Sequence, residues 1–287
     1  MKEAHGLAHV GRLDWPQVLK QQSYIASPGL LSMLELAVAM NRPLLLEGPA
    51  GSGKTSLAGA VASVLHRDFV RLQCFEGMDA THALYEWNYH KQFTALSRTS
   101  TEDVFSENYL LSRPLLQALR AERGAVLLID EVDRADEAME ALLLEYLGEW
   151  QITIPEWKTV TALIRPITIL TSNRTRPLSD ALRRRCLYVH LPYPDVAQEL
   201  EVVHTHVESI APDAARRIVE AVHELRTWPL LKVPGVAETL DWCRAWCLTG
   251  GVWERSWVEA TLGCVVKDEL DLQLVTQRLD EFLAGFT

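Results

Sequence analysis

The sequence predicts an α/β core, a parallel five-stranded sheet covered by helices, followed by a small all-α domain. Short apolar runs bounded by turn residues alternate with helical periodicity up to about residue 195. The intervals between runs are long enough for crossover helices, which parallel strands require. Beyond Pro192-Tyr193-Pro194 the strand signal stops, and apolar positions recur every three or four residues. A chain of 287 residues exceeds the common single-domain size, so two cores are expected, 1–195 and 196–287.

Ser27-Pro28 supplies an N-cap and a proline at the first helical position, and Leu30, Leu31, Leu34, Ala37 and Val38 follow at helical spacing. A helix therefore precedes the first strand, Pro43-Leu44-Leu45-Leu46-Glu47. Gly48 to Gly53 reads as a glycine-rich loop and Lys54 to Leu65 as a helix. Further strands are expected at 69–73, 125–130, 167–171 and 187–191. Residues 84–106 begin aromatic and turn polar at Thr99-Ser100-Thr101-Glu102-Asp103, the pattern of an insertion with a mobile loop. Gln151 to Thr161 alternates β-branched residues around Pro155 and predicts a hairpin projecting from the core, with Trp157 as an apolar contact at its tip. In the small domain, helical periodicity runs through 199–209, 213–226, 235–248 and 266–283.

Net charge is −10; residues 196–287 hold 8 Lys/Arg against 15 Asp/Glu, whereas residues 1–195 hold 20 against 23. A duplex-binding surface shows a basic stripe that displaces counterions, so nucleic acid is a poor partner for this chain. The longest apolar runs fall well short of the roughly 20 residues of a membrane span. Met1-Lys2-Glu3-Ala4-His5 lacks the features of a secretory leader, so a soluble, cytoplasmic protein with no membrane partner is expected. Cys74, Cys186, Cys243, Cys247 and Cys264 are odd in number and share no repeated short spacing, which fits a reducing compartment. Cys243 and Cys247 lie about a helical turn apart without a convincing third ligand, and core thiols are expected there. Trp228, Trp242, Trp246, Trp253 and Trp257 crowd the small domain; core packing is the expected use, a docking face the alternative.

Gly48-Pro49-Ala50-Gly51-Ser52-Gly53-Lys54-Thr55 matches G-x-x-x-x-G-K-[ST] between a strand and a helix, as a phosphate-binding loop requires. Its glycines let the backbone wrap phosphates, so that amide N–H groups and the helix N-terminus meet negative charge. Gly48 to Ser56 form the candidate ATP site, with Lys54 on the β- and γ-phosphates and Thr55 on magnesium. The plain alternative is a glycine-rich turn with an exposed lysine. Val126-Leu127-Leu128-Ile129-Asp130-Glu131 is an apolar strand ending in adjacent carboxylates, the Walker B pattern. Asp130 is placed to hold magnesium and Glu131 to polarise the attacking water, unless the two are merely solvated acids. A second apolar strand, from Ile167, ends on Asn173, which as sensor 1 would orient that water. Leu178 to Cys186 is a short helix closing on Arg183-Arg184-Arg185. Arginine's planar fork bridges phosphate oxygens, and Arg185, or else Arg184, is the candidate arginine finger inserted into a neighbouring subunit's site.

With these four ordered motifs, residues 28–250 resemble a MoxR-type AAA+ ATPase. Leu72-Gln73-Cys74-Phe75-Glu76-Gly77, Ala83-Leu84-Tyr85-Glu86-Trp87-Asn88-Tyr89 and Val236-Ala237-Glu238-Thr239-Leu240-Asp241-Trp242 resemble its CoxD-like branch. The resemblance implies an AAA+ core with a helical lid, assembled as a homo-oligomeric ring, usually a hexamer. It also implies an insertion in the second helix, here 84–106, and a hairpin before sensor 1, here 151–161. It further implies a chaperone that works with a von Willebrand factor A domain partner to install or activate metal centres in a client metalloenzyme. For the CoxD-like branch that client is a molybdenum hydroxylase of the carbon monoxide dehydrogenase type. One departure stands out. Where many members place a sensor 2 arginine, near the start of the third lid helix, this chain reads Pro234-Gly235-Val236-Ala237-Glu238, leaving Arg226, Lys232 and Arg244 as substitutes. Two other functions compete: the motor subunit of a nucleic-acid machine, which the acidic charge disfavours, and a small-molecule kinase, which would need neither the arginine cluster nor so large a lid.

Overall fold

A computed structural model describes residues 13–96, 104–155 and 157–286. The expectations at Met1 to His5, at Thr99 to Asp103 and at Glu156 lie outside the described residues. Contacts group the chain into two units: residues 1–22, 26–48 and 54–191 in one, and residues 23–25, 49–53 and 192–287 in the other.

The first unit opens with α1 (Trp15–Gln21) and α2 (Pro28–Met40), whose cap Ser27 Oγ accepts the Leu30 N–H at 3.4 Å. After β1 (Leu44–Glu47) come α3 (Lys54–Leu65), β2 (Asp68–Gln73) and α4 (Ala80–Ala83). The insertion is built as β3 (Tyr85–Trp87), α5 (Tyr89–Leu96) and β4 (Leu110–Ser112), with β3 and β4 paired antiparallel. Then follow α6 (Pro114–Arg120), β5 (Ala125–Asp130), α7 (Glu137–Glu149), the antiparallel hairpin β6 (Gln151–Thr153) and β7 (Thr159–Thr161), β8 (Ile167–Ser172), α8 (Asp180–Arg185) and β9 (Leu187–His190).

The main sheet runs β2-β5-β8-β1-β9, and its strand pairs are parallel. β1 and β5 are wholly buried, as strands covered on both faces must be, and their unbroken apolar runs are what the sequence displays. Trp157 departs from expectation. It is half-buried and packs back on the core, its ring under Arg120 at 5.2 Å and Lys158 at 4.1 Å, rather than offering an apolar tip.

The second unit contains α9 (Val196–His206), α10 (Pro212–Leu225), α11 (Val236–Thr249), α12 (Arg255–Thr261), α13 (Glu269–Gln277) and α14 (Leu279–Ala284). The sequence reading missed α12, and the single helix expected over 266–283 is two. Asp268 caps α13 by accepting from the Leu270 N–H at 3.0 Å, and the chain turns at Arg278. Trp242 is fully buried and stacks on Trp257 at 5.9 Å, while Trp246, Trp253 and Trp257 are half-buried around it. Cys243 is buried in the same core and Cys247 half-buried against it. Among the described residues no helix is long and apolar enough to cross a membrane.

Candidate functional site

Three neighbouring strands, β5, β8 and β1, deliver the candidate residues at their carboxyl ends, where ligands of open parallel sheets bind. Just past β1, Gly48 admits no side chain, because a Cβ there would lie 2.0 Å from the Leu191 carbonyl oxygen beyond β9. The loop continues through Pro49 and Ala50, and Gly51 and Gly53 take left-handed φ values of 75° and 87°. Lys54, Thr55 and Ser56 form the first turn of α3. Lys54 is buried, and its Nζ donates to the Gly48 carbonyl at 2.8 Å. Burial lowers its pKa, against the opposing pull of Asp130, Asp133 and Glu131.

Asp130 ends β5, buried, with each oxygen committed. Thr55 Oγ1 donates to Oδ1 at 3.1 Å, and Thr171 Oγ1 donates to the same oxygen. Arg71 Nε donates to Oδ2 at 3.1 Å, joined by a second guanidinium N–H. Register explains these neighbours: β2 sets Gln73 opposite Asp130, and β8 sets Leu170 opposite Ile129, one residue before the Thr171–Asp130 contact.

Glu131 follows with φ 53°, a left-handed conformation that costs a residue bearing a Cβ roughly 1–2 kcal/mol. Thr171 Oγ1 accepts its N–H at 2.9 Å and holds that turn. Around its carboxylate, Gln73 Nε2 donates at 2.9 Å, Arg134 Nε lies 3.2 Å away, and Asn173 Nδ2 reaches the other oxygen at 3.4 Å. Asp133, buried one turn on, accepts the Asn173 N–H at 3.2 Å, the Thr175 N–H at 2.8 Å and the Thr175 hydroxyl at 2.6 Å. Burial opposes its charge, but the donors from Thr175 and Asn173 outweigh burial and hold its pKa below the usual carboxylate value. Cys74, behind these acids, is pushed up to about 12, by burial first and then by Asp130, Asp133 and Glu131.

The α8 arginines divide. Arg183 lies 3.4 Å from buried Glu47, which also pairs with Arg174 and accepts from the Tyr188 hydroxyl at 3.1 Å. Arg184 and Arg185 are exposed, and among the described residues neither side chain has an ion-pair partner. The helix that carries them is capped by Ser179, whose Oγ accepts the Leu182 N–H at 3.3 Å, and Arg42 Nη2 donates to the Arg184 carbonyl at 2.8 Å.

The structure thus brings Lys54, Thr55, Asp130, Glu131 and Asn173 together and places Arg184 and Arg185 apart, exposed on α8. Sequence reasoning missed Arg71, Gln73, Asp133, Arg134 and Thr171. The signal available for the first two was a pair of polar residues alternating at the carboxyl end of a strand.

Residues 43–186 match the family model described as AAA domain (dynein-related subfamily). The chain is 26% identical over 303 residues to the gas vesicle ATPase GvpN1 of Halobacterium salinarum, covering 99% of this chain and 80% of that protein. It is 26% identical over 294 residues to the gas vesicle ATPase GvpN of Haloferax mediterranei, covering 96% of this chain and 78% of that one. A solved structure of a RuvB variant from Thermotoga maritima aligns with a TM-score of 0.52 at 20% identity, covering 88% of this chain and 75% of that chain. At that identity the likeness shows the fold alone. The family model spans half the chain and all three strands that end in the candidate residues, so the chain belongs to the AAA domain family, dynein-related subfamily, and is an AAA+ ATPase.

Proposed function

We propose that this ATPase is a MoxR-type remodelling chaperone that hydrolyses MgATP at the loop between β1 and α3 and transmits the resulting change to a protein client. The observation that carries the reading is the convergence of Lys54, Thr55, Asp130, Glu131 and Asn173 at the ends of adjacent strands, with Thr55 bonded to Asp130 and Asn173 to Glu131. In it, Gly48 to Ser56 hold the triphosphate, with Lys54 on the β- and γ-phosphates. Thr55 Oγ1 and Asp130 Oδ1, hard oxygens 3.1 Å apart, suit magnesium, which when bound offsets the phosphate charge. Glu131 polarises the attacking water and Asn173 orients it, while Gln73 and Arg134 hold the Glu131 carboxylate in place. Arg185, with Arg184 as the alternative, reaches the γ-phosphate of the next subunit in a ring, a hexamer.

The client, in this proposal, is a cytoplasmic metalloenzyme of the molybdenum hydroxylase class, approached through a von Willebrand factor A domain partner. The segments at 72–77, 83–89 and 236–242 support that branch, and the two gas vesicle relatives support a protein assembly as the object of work. The acidic charge of residues 196–287 speaks against a nucleic-acid track. The test measures phosphate release with client and partner, and separately with duplex DNA. Turnover should rise with the protein pair and stay level with DNA; stimulation by DNA alone would sink the proposal.

A further inference from the structure

Residues 49–53 group with the helical unit, and one backbone crossing accounts for it. A Cβ on Gly51 would lie 2.9 Å from the Gly235 Cα, and a Cβ on Gly235 would lie 2.8 Å from the Gly51 Cα. The Val236 N–H donates to the Gly51 carbonyl at 3.1 Å. Two backbones therefore touch with no room for a side chain on either.

The Gly235 side of this crossing is braced. Gly235 is the N-cap of α11, and its N–H donates to Glu238 Oε2 at 2.9 Å. Arg226 Nε donates to the Pro234 carbonyl at 2.8 Å, and its other nitrogens bond the fully buried Glu199 at 2.6 and 2.8 Å. Thr239 Oγ1 donates to the same carboxylate at 2.6 Å, and the Arg226 guanidinium lies over the Tyr193 ring at 4.5 Å. Arg226 is thus committed inside the helical unit. The other two substitutes for a sensor 2 cation are paired on its surface, Lys232 with Asp268 at 3.4 Å and Arg244 with Asp241 at 3.0 Å.

We propose that the Pro234–Gly235 turn is a seat for the phosphate loop, fixing the loop's binding conformation through backbone contact rather than through a cation on the phosphate. Carbonyl and N–H of a trans peptide point opposite ways, so tying down the Gly51 carbonyl fixes the direction of the Ser52 N–H. Gly51 is held in its left-handed conformation by the same contact, and any displacement of α11 moves the loop directly. Gly235 and Val236 are positioning residues for nucleotide binding. The inference rests on the reading of Gly48 to Ser56 as the phosphate site.

Two variants test it. Gly235→Ala places a methyl 2.8 Å from the Gly51 Cα, inside van der Waals contact, so the loop must shift, and the Kd for ATP and for ADP should rise at least about tenfold. Val236→Pro removes one hydrogen-bond donor at the first helical position, where proline is tolerated, after a Gly235 already extended at φ −91°, ψ −172°. Its Kd should rise about fivefold, the worth of one net hydrogen bond. Affinity is read by titration with a fluorescent nucleotide, alongside Tm and kcat. The seat predicts a raised Kd and KM, with Tm and saturated kcat close to the parent values, as they should also be for the control Gly263→Ala, which has open space around it. Should Gly235→Ala fail to fold, Val236→Pro decides alone. Parental affinity in both variants while Lys54→Ala has lost binding overturns the seat, whereas parental affinity in Lys54→Ala overturns the phosphate-site reading beneath it.

Discussion

Lys54 and Glu131 stand at the carboxyl ends of the sheet, Lys54 bonded to the Gly48 carbonyl and Glu131 held by Gln73 and Asn173, and their removal should fail in different ways. In the proposed mechanism Lys54 is the cation that neutralises phosphate charge in the ground state, so Lys54→Ala should lose tight nucleotide binding. Glu131→Gln keeps shape and hydrogen bonding but cannot polarise the water, so binding should persist while phosphate release falls at least about a hundredfold. Parallel measurements of nucleotide affinity and single-turnover release check the pair; parental turnover in Glu131→Gln would remove Glu131 from the chemistry. Both residues were legible in the sequence because each sits in a local pattern, a strand followed by a loop or by an acidic pair. Their supports were not. Arg71 and Gln73 reach Asp130 and Glu131 only through the register of β2 on β5, and Thr171 only through β8, and no spacing along the chain encodes which strands become neighbours.

At the scale of elements, the hairpin β6–β7 shows where pattern and packing part. Alternating β-branched residues around Pro155 reveal the two strands, but whether Trp157 faces solvent depends on what lies beneath it. Beneath it lies the core, and the base of the hairpin is tied down as the Ala162 N–H donates to Trp150 at 2.9 Å and the Leu163 N–H to Leu119 at 3.1 Å. Trp157→Ala should therefore destabilise the protein, by about 2 kcal/mol for a half-buried ring, in place of leaving stability untouched as loss of an exposed docking ring would. Urea denaturation of the variant gives the number, and an unchanged midpoint would return Trp157 to the surface. The boundary between α13 and α14 was hidden for a related reason. The apolar period runs on through Arg278, while the break is set by backbone geometry at Arg278, whose N–H donates to the Leu274 carbonyl at 3.2 Å.

For the whole molecule, Arg184 and Arg185, exposed and without an ion-pair partner among the described residues, are the groups that the proposed ring would set beside a neighbour's site. Mixing Arg185→Ala with Lys54→Ala chains separates action within a subunit from action between neighbours: mixed rings contain interfaces with both an intact loop and an intact arginine. Some of the turnover lost in each pure variant, on the order of 10³-fold for an arginine finger, should return in the mixture. No recovery in rings shown by native mass spectrometry to be mixed would place Arg185 outside the chemistry.

The tryptophans of the helical unit also give the protein an optical signature. Centroids of contacting rings among Trp242, Trp246, Trp253 and Trp257 lie between 4.9 and 6.3 Å apart, close enough for their excited states to couple. Trp15, Trp87, Trp150 and Trp157 belong to the other unit. Among the described residues the ring contacts between two tryptophans fall in the helical unit, so an indole–indole exciton couplet in the ultraviolet circular dichroism spectrum would report on that unit. Its loss on heating would time the melting of that unit separately from the sheet, without any label attached.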